Sequence, residues 1–153
     1  MTSKEQLKHI VYMRMASDLS ELSKATRLKV GALIMRDGRI LSSGYNGTPS
    51  GFNNEAEVGN ETLPIVVHAE CNAILFCNSN FEEARMYCTL SPCPECVKLI
   101  KASGITKVFF KEKYRRYEET AKLANIFDLE LKNKPFNFRS KKIELKYDDF
   151  KSF

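Results

Sequence analysis

Residues 29–45 read KVGALIMRDGRILSSGY. Lys29 to Met35 is a short apolar run with β-branched members, and Asp37-Gly38 tolerates the positive φ angles of a two-residue turn. Arg39 to Tyr45 then completes a strand–turn–strand hairpin. Upstream, Leu7, Ile10, Val11, Met15, Leu19 and Leu22 recur at helical spacing over residues 4–24. His9 on that helix reads as an incidental surface residue. Downstream, the pattern predicts a helix over 68–78 with Ala69, Ala73, Ile74 and Phe76 on its apolar side, and a buried strand over 85–90. A helix follows over 94–102, ended by Ser103-Gly104 in the usual C-terminal glycine position. A strand over 105–110, a helix over 117–125 and a last strand over 126–131 complete the order. A hairpin followed by α/β crossovers predicts an α/β, three-layer αβα architecture with a central mixed sheet of about five strands. Residues 1–132 would form one domain. Residues 133–153 would be an extension, in which Ile143, Leu145 and Tyr147 alternate with charged residues as an edge strand or subunit contact would.

A length of 153 residues fits one core, and 43% hydrophobic with 28% charged residues excludes global disorder. No long apolar run is present to span a bilayer, and the N-terminus lacks a signal-peptide core, so a cytoplasmic setting and no membrane partner are expected. The five cysteines, Cys71, Cys77, Cys88, Cys93 and Cys96, are odd in number and centrally clustered, which favours metal binding over a disulfide framework. Cys71, Cys77 and Cys88 are expected to be small buried hydrophobes. The net charge of +5 suits an anionic substrate. Acids interleave with the bases, as in Lys111-Glu112-Lys113, which looks like a solvated face rather than a polynucleotide groove.

His68-Ala69-Glu70 and Pro92-Cys93-Pro94-Glu95-Cys96 carry the chemistry. One nitrogen and two thiolates suit tetrahedral zinc and leave a fourth position open, as a catalytic rather than a structural site does. Each group starts a predicted helix, where unpaired N–H groups and the dipole favour thiolate. Glu70, two residues from the histidine, reaches the metal's surroundings without ligating it. A carboxylate there can move protons between a zinc-acidified water, a ring nitrogen and a leaving amine. H-x-E followed by P-C-x-x-C is the general zinc deaminase signature. A purely structural staple would need a fourth ligand, and the only other histidine is His9.

The loop over 46–67 holds Gly47, Pro49, Gly51, Asn53, Asn54, Gly59, Asn60 and Pro64, with room for one short helical turn. Loops this long inside a compact domain tend to be functional. Together with Val30-Gly31-Ala32, the stretch from Gly44 to Gly51 (GYNGTPSG), the stretch from His68 to Ile74 (HAECNAI) and the cysteine motif, it resembles the cytidine deaminase superfamily, and within it the deoxycytidylate deaminases. The resemblance runs from about residue 5 to about residue 130.

It implies hydrolysis of dCMP to dUMP and ammonia, with one Zn²⁺ per chain held by His68, Cys93 and Cys96 and with Glu70 catalytic. Asn46 would meet the deoxyribose, Tyr114 would lie over the substrate, and Ala69 and Ser91 would join the substrate site. It also implies a homo-oligomer, commonly a hexamer, activated by dCTP and inhibited by dTTP with Mg²⁺. Asn46, Gly47, Gly51, Asn53 and Glu55 would contribute to the effector site, with Phe76 coupling it to the active site. The position three beyond Phe76, an arginine in some regulated relatives, is Ser79 here, which bears on the strength of that control. The second, structural zinc of some relatives is expected to be absent, since no cysteine precedes Cys71 and only His9 precedes His68. Basic residues over 111–116 would either meet the substrate phosphate or form a solvated face.

Overall fold

The hairpin forms as the sequence predicts: β1 (Gly31–Arg36) pairs antiparallel with β2 (Arg39–Tyr45). Asp37 and Gly38 take φ of 52° and 73°, the paired positive values of a tight hairpin turn. The computed structural model describes residues 4–134 apart from Asn54, Asn60 and Asn78. The 133–153 extension, with its alternation at Ile143, Leu145 and Tyr147, lies almost wholly outside the described residues.

β1 also pairs antiparallel with β5 (Arg85–Leu90), which lies parallel to β6 (Lys107–Glu112), itself parallel to β7 (Glu130–Asn133). The result is one five-stranded mixed sheet in the order β2-β1-β5-β6-β7. Side chains on a strand alternate between faces, and the core divides accordingly. Ala32, Ile34, Met86, Cys88 and Val108 face α2 (Ala69–Leu75), α3 (Pro94–Ala102) and α4 (Tyr117–Ile126). Leu33, Met35, Tyr87 and Phe109 face α1 (Lys4–Ser20). Burying each such side chain is worth about 1.5–3 kcal/mol. The three-layer αβα architecture is confirmed.

Two glycines let helices seat closely on the hairpin. A Cβ on Gly31 would collide with the Ala16 carbonyl of α1, and one on Gly44 would lie 2.5 Å from the Ala69 carbonyl oxygen of α2. Gly104 takes φ of 99° after α3, and its N–H donates to the Lys101 carbonyl, as the predicted glycine stop requires.

Several local expectations change. On α1 the buried residues are His9, Met13, Ala16 and Ser20, whereas Leu7 and Val11 are exposed, as is Leu22 beyond the helix end. The large aliphatics set the helical period, but close seating against Gly31 selects a different and smaller face. His9 is therefore a core residue. The 46–67 loop contains a two-stranded ladder, β3 (Glu57–Val58) with β4 (Glu61–Thr62), where a helical turn had room. β1 begins at Gly31 and β6 at Lys107, each two residues later than the apolar runs suggest. α4 continues to Ile126, so the last strand starts only at Glu130. α2 ends at Leu75, which leaves Phe76 as its cap and 77% exposed rather than on an inward side. Cys88 is buried, but Cys71 and Cys77 are only half-buried.

Candidate active site

α2 and α3 both start at the same end of the sheet and deliver their first turns to one place. His68 is the N-cap of α2, and its carbonyl accepts from Asn72 N–H at 3.0 Å. Cys93 is the N-cap of α3, with Pro94 in the first turn, where a missing N–H costs nothing. Both caps have extended backbone and lack a side-chain capping bond, so imidazole and thiol stay free for another use. The buried Thr120 hydroxyl donates to the Pro92 carbonyl at 2.7 Å and ties the cysteine turn to α4. Ser42 on β2 donates to the Ala73 carbonyl at 2.6 Å, which fixes α2 against the sheet.

The three expected ligands converge. The donor atoms of His68, Cys93 and Cys96 lie within 4.8 Å of one another. His68 Nδ1 is 3.2 Å from Cys96 Sγ and 3.5 Å from Cys93 Sγ. A tetrahedral zinc ion with ordinary Zn–N and Zn–S lengths spans N···S edges of about 3.6 Å, so the donor set fits that metal. His68 keeps solvent access while both cysteines are buried, so the cluster opens on one side. Cys71 Sγ lies 3.7 Å from Cys96 Sγ and touches one ligand.

The electrostatics of the cluster are those of donors crowded together. Hydrogen bonding to Cys93 raises the His68 imidazole to a pKa of about 9. Hydrogen bonds from Cys96 and His68 lower the Cys93 thiol to about 5. Cys96 is pushed strongly upward by its Cys71 and Cys93 neighbours and by burial. Glu70 is 3% exposed, and burial raises its carboxyl above the ordinary range.

One cleft is lined by His68, Ala69, Glu70, Cys93, Asn46, Ser91 and Tyr114, so the expected catalytic and substrate residues come together around the metal ligands. Asn46 is buried, and its amide is already engaged: Oδ1 accepts from Val30 N–H at 2.9 Å and Nδ2 donates to the Leu28 carbonyl at 2.8 Å. It thereby holds the cleft wall in shape. The buried Ser91 hydroxyl accepts from Tyr114 N–H at 2.7 Å and fixes the tyrosine at the rim. The expected effector residues Gly47, Gly51, Asn53, Glu55 and Phe76 do not line this cleft. The first four belong to a loop closed at its neck by paired hydrogen bonds between Gly47 and Val67 of 3.1 and 2.8 Å.

Sequence reasoning missed Arg27, Leu28, Val30, Thr62, Val66 and Leu90, which complete the lining. Of these, Val30 stood in a stretch already singled out, and Thr62 and Val66 lie in the 46–67 loop that was read as functional without being named. Within 111–116, Arg116 is ion-paired with Glu95 and Glu119, Lys113 Nζ sits 4.8 Å from the Tyr117 ring centre, and the exposed Arg115 lies over Tyr114.

Comparison with known proteins gives a consistent picture. The family described as "Cytidine and deoxycytidylate deaminase zinc-binding region" matches residues 6–112. The chain is 35% identical to deoxycytidylate deaminase of Enterobacteria phage T4, over 71% of this chain and 79% of that protein. It is 34% identical to the Mus musculus deoxycytidylate deaminase, over 92% of this chain and 86% of that one. Among solved structures, the dCMP deaminase of cyanophage S-TIM5 in complex with dCMP and dUMP matches with a TM-score of 0.79 and 34% identity. That match covers 88% of this chain and all of the phage chain. With the His68, Cys93 and Cys96 cluster beside a buried Glu70, this chain belongs to the zinc-binding cytidine and deoxycytidylate deaminase family.

Proposed function

We propose that this protein hydrolyses dCMP to dUMP and ammonia and so supplies dUMP for thymidylate synthesis. The observation that carries the reading is the convergence of an open nitrogen-and-two-sulfur donor set with a buried carboxyl in one cleft. It is supported by relatives named deoxycytidylate deaminase in a phage and a mammal, and by the fold shared with a dCMP deaminase solved with dCMP and dUMP.

His68, Cys93 and Cys96 would hold the zinc ion, which when bound supplies Lewis acidity and a water whose pKa is about 7. Glu70 takes a proton from the attacking water and gives it to the ring nitrogen, then takes the remaining proton of the newly added hydroxyl as that becomes the carbonyl and passes it to the amine, so that the C–N bond breaks with release of ammonia. Burial suits Glu70 to this exchange, because raising the carboxyl above its ordinary range makes it a stronger base for the proton it takes. Ala69 and the Asn46 and Ser91 networks shape the wall against which the base and deoxyribose pack, and Tyr114 lies over the substrate from the rim.

The same reading extends to regulation. dCTP activates and dTTP inhibits, with Mg²⁺, through Asn46, Gly47, Gly51, Asn53 and Glu55 on the closed loop and through the exposed Phe76. The working unit is a homohexamer in the cytoplasm, and residues 1–132 form the deaminase domain. Among the described residues no helix is long and apolar enough to cross a membrane. Ammonia release is the direct test, compared across dCMP, cytidine, adenosine in tRNA and a short cytosine oligonucleotide. Turnover confined to dCMP, with a rate curve that dCTP and dTTP displace in opposite directions, is the expected result. Faster release from an oligonucleotide or tRNA would replace this reading with a polynucleotide deaminase.

A further inference from the structure

Three cysteines lie outside the donor set, and their surroundings differ. Cys88 is fully buried in β5. Cys77 is half-buried, and its thiol donates to the Leu41 carbonyl at 3.4 Å. Cys71 is half-buried too, but its Sγ lies 3.7 Å from the Sγ of Cys96. Among the described residues it is the cysteine that touches a metal ligand without being one.

The contact arises from the two helix starts. Cys71 is the third residue of α2 and Cys96 the third of α3, so the helices that bring His68 and Cys93 to one point also bring these sulfurs together. A disulfide places its sulfurs about 2.05 Å apart, so closing the gap takes about 1.7 Å of movement shared by two side chains. The two thiols differ in access. Cys96 is 3% exposed and belongs to the donor set, whereas Cys71 keeps solvent access and has no metal to cover it. An accessible thiol beside a second cysteine is the arrangement in which a sulfenic acid forms on the first and condenses with the other.

We propose that Cys71 is an oxidation site, where a peroxide converts the Cys71–Cys96 contact into a disulfide and so removes one ligand from the zinc site. The peroxide O–O bond breaks as one oxygen bonds to the Cys71 sulfur, and the other oxygen leaves as water or an alcohol. The Cys96 sulfur then attacks the sulfenic acid: the S–S bond forms and the S–OH bond breaks. The hydroxyl leaves as water with the Cys96 thiol proton, or with one from solvent where Cys96 is metal-bound. Two electrons pass from the sulfurs to the peroxide. Only His68 and Cys93 then remain of the donor set, fewer than a zinc site uses. Reduction by a dithiol restores both thiols. The inference rests on the metal assignment above and not on the substrate.

The test treats zinc-loaded protein with hydrogen peroxide and follows two quantities. One is zinc captured by a chromogenic chelator; the other is cysteine pairing, read by mass spectrometry of non-reduced peptides with fragmentation to place the link. Wild type, Cys71→Ala, Cys71→Ser and Cys77→Ser are compared, each checked beforehand for zinc content and thermal midpoint. Wild type and Cys77→Ser should lose one zinc and two titratable thiols per chain and yield a Cys71–Cys96 link. Dithiothreitol with added zinc should restore both. The Cys71 variants should keep their zinc through the same exposure. Zinc loss from them at the wild-type rate overturns the proposal, as does a wild-type link between Cys93 and Cys96 or no link at all. Should neither Cys71 variant fold, the wild-type peptide map decides, because it needs no substitution. Neither readout involves turnover, so a protein inactive on dCMP sinks the substrate reading alone. One that takes up no zinc sinks the metal assignment, while the peptide map still decides whether Cys71 pairs with Cys96.

Discussion

The two histidines of this chain occupy opposite faces of the sheet and behave oppositely. His68 caps α2 among thiols, stays open to solvent, and is raised to a pKa of about 9 by hydrogen bonding to Cys93. His9 on α1 is 9% exposed, and burial lowers its pKa from the ordinary 6.5. Its Nδ1 shares a 2.6 Å hydrogen bond with the Tyr87 hydroxyl, and its ring packs 4.5 Å from Phe109, which in turn stacks on Tyr87 at 4.8 Å. A larger cavity among the described residues, about 480 Å³, borders this second region, whereas the cleft at Glu70 measures about 80 Å³. Volume misleads here. In the larger cavity Arg85 pairs with Glu5, Lys107 with Glu130, and Arg36 donates to the Asn80 and Glu82 carbonyls, so these three cations are already engaged. The lesson is that converging metal-type donors, not space, mark the candidate working face.

Removing chemistry from the first region gives the largest expected effect. Cys93→Ser or His68→Ala abolishes stoichiometric zinc in metal analysis and takes deamination to background, whereas His9→Ala keeps its zinc. A His9 variant that lost the metal would erase the contrast between the regions. Next comes Glu70→Gln, expected to retain zinc while kcat falls about 10²–10⁴-fold, the usual range for a lost general acid–base group. Near-normal turnover would remove Glu70 from its assigned task.

The second region answers in stability. His9→Ala removes one hydrogen-bond partner from the buried Tyr87 hydroxyl and opens space beside Phe109, so unfolding should become easier by about 1–3 kcal/mol. Thermal denaturation reads this as a drop of about 2–4 °C per kcal/mol for a chain of this size. The smallest effect is in pH. Because folding depresses the His9 pKa, the folded state binds fewer protons, and the contribution is fully present above pH 6.5. It is lost as pH falls below 6.5, so the unfolding midpoint should decline through mildly acidic pH. His9→Phe should flatten that decline, and an identical slope in both proteins would show that His9 is not its source.

The site was legible before the fold was known because its chemistry is compressed into two short segments. His68, Glu70, Cys93 and Cys96 have the element types and spacings that a three-donor zinc site with an acid–base partner requires, and each sits at a helix start that local signals reveal. Arg27 was not legible, since one cation in a basic chain carries no periodic or spacing signal. It lines the same cleft as Glu70 only through the packing of the segment before β1 with the 46–67 loop. The α1 face was misread for a related reason. Periodicity weighs Leu7, Val11 and Leu22 as heavily as Met13, but the close approach to Gly31 favours the side that carries Ala16.

By itself the sequence determined the hairpin, the alternation of helix and strand that follows, and the candidate His68, Cys93 and Cys96 donor set with Glu70 beside it, all of which depend on neighbours within a few positions. Only the tertiary structure decided that His9 is core and His68 is not, that Asn46 braces the cleft wall, and that Arg27 lines it. Burial and pairing depend on residues distant in the chain, and the strand order β2-β1-β5-β6-β7 sets which of them meet.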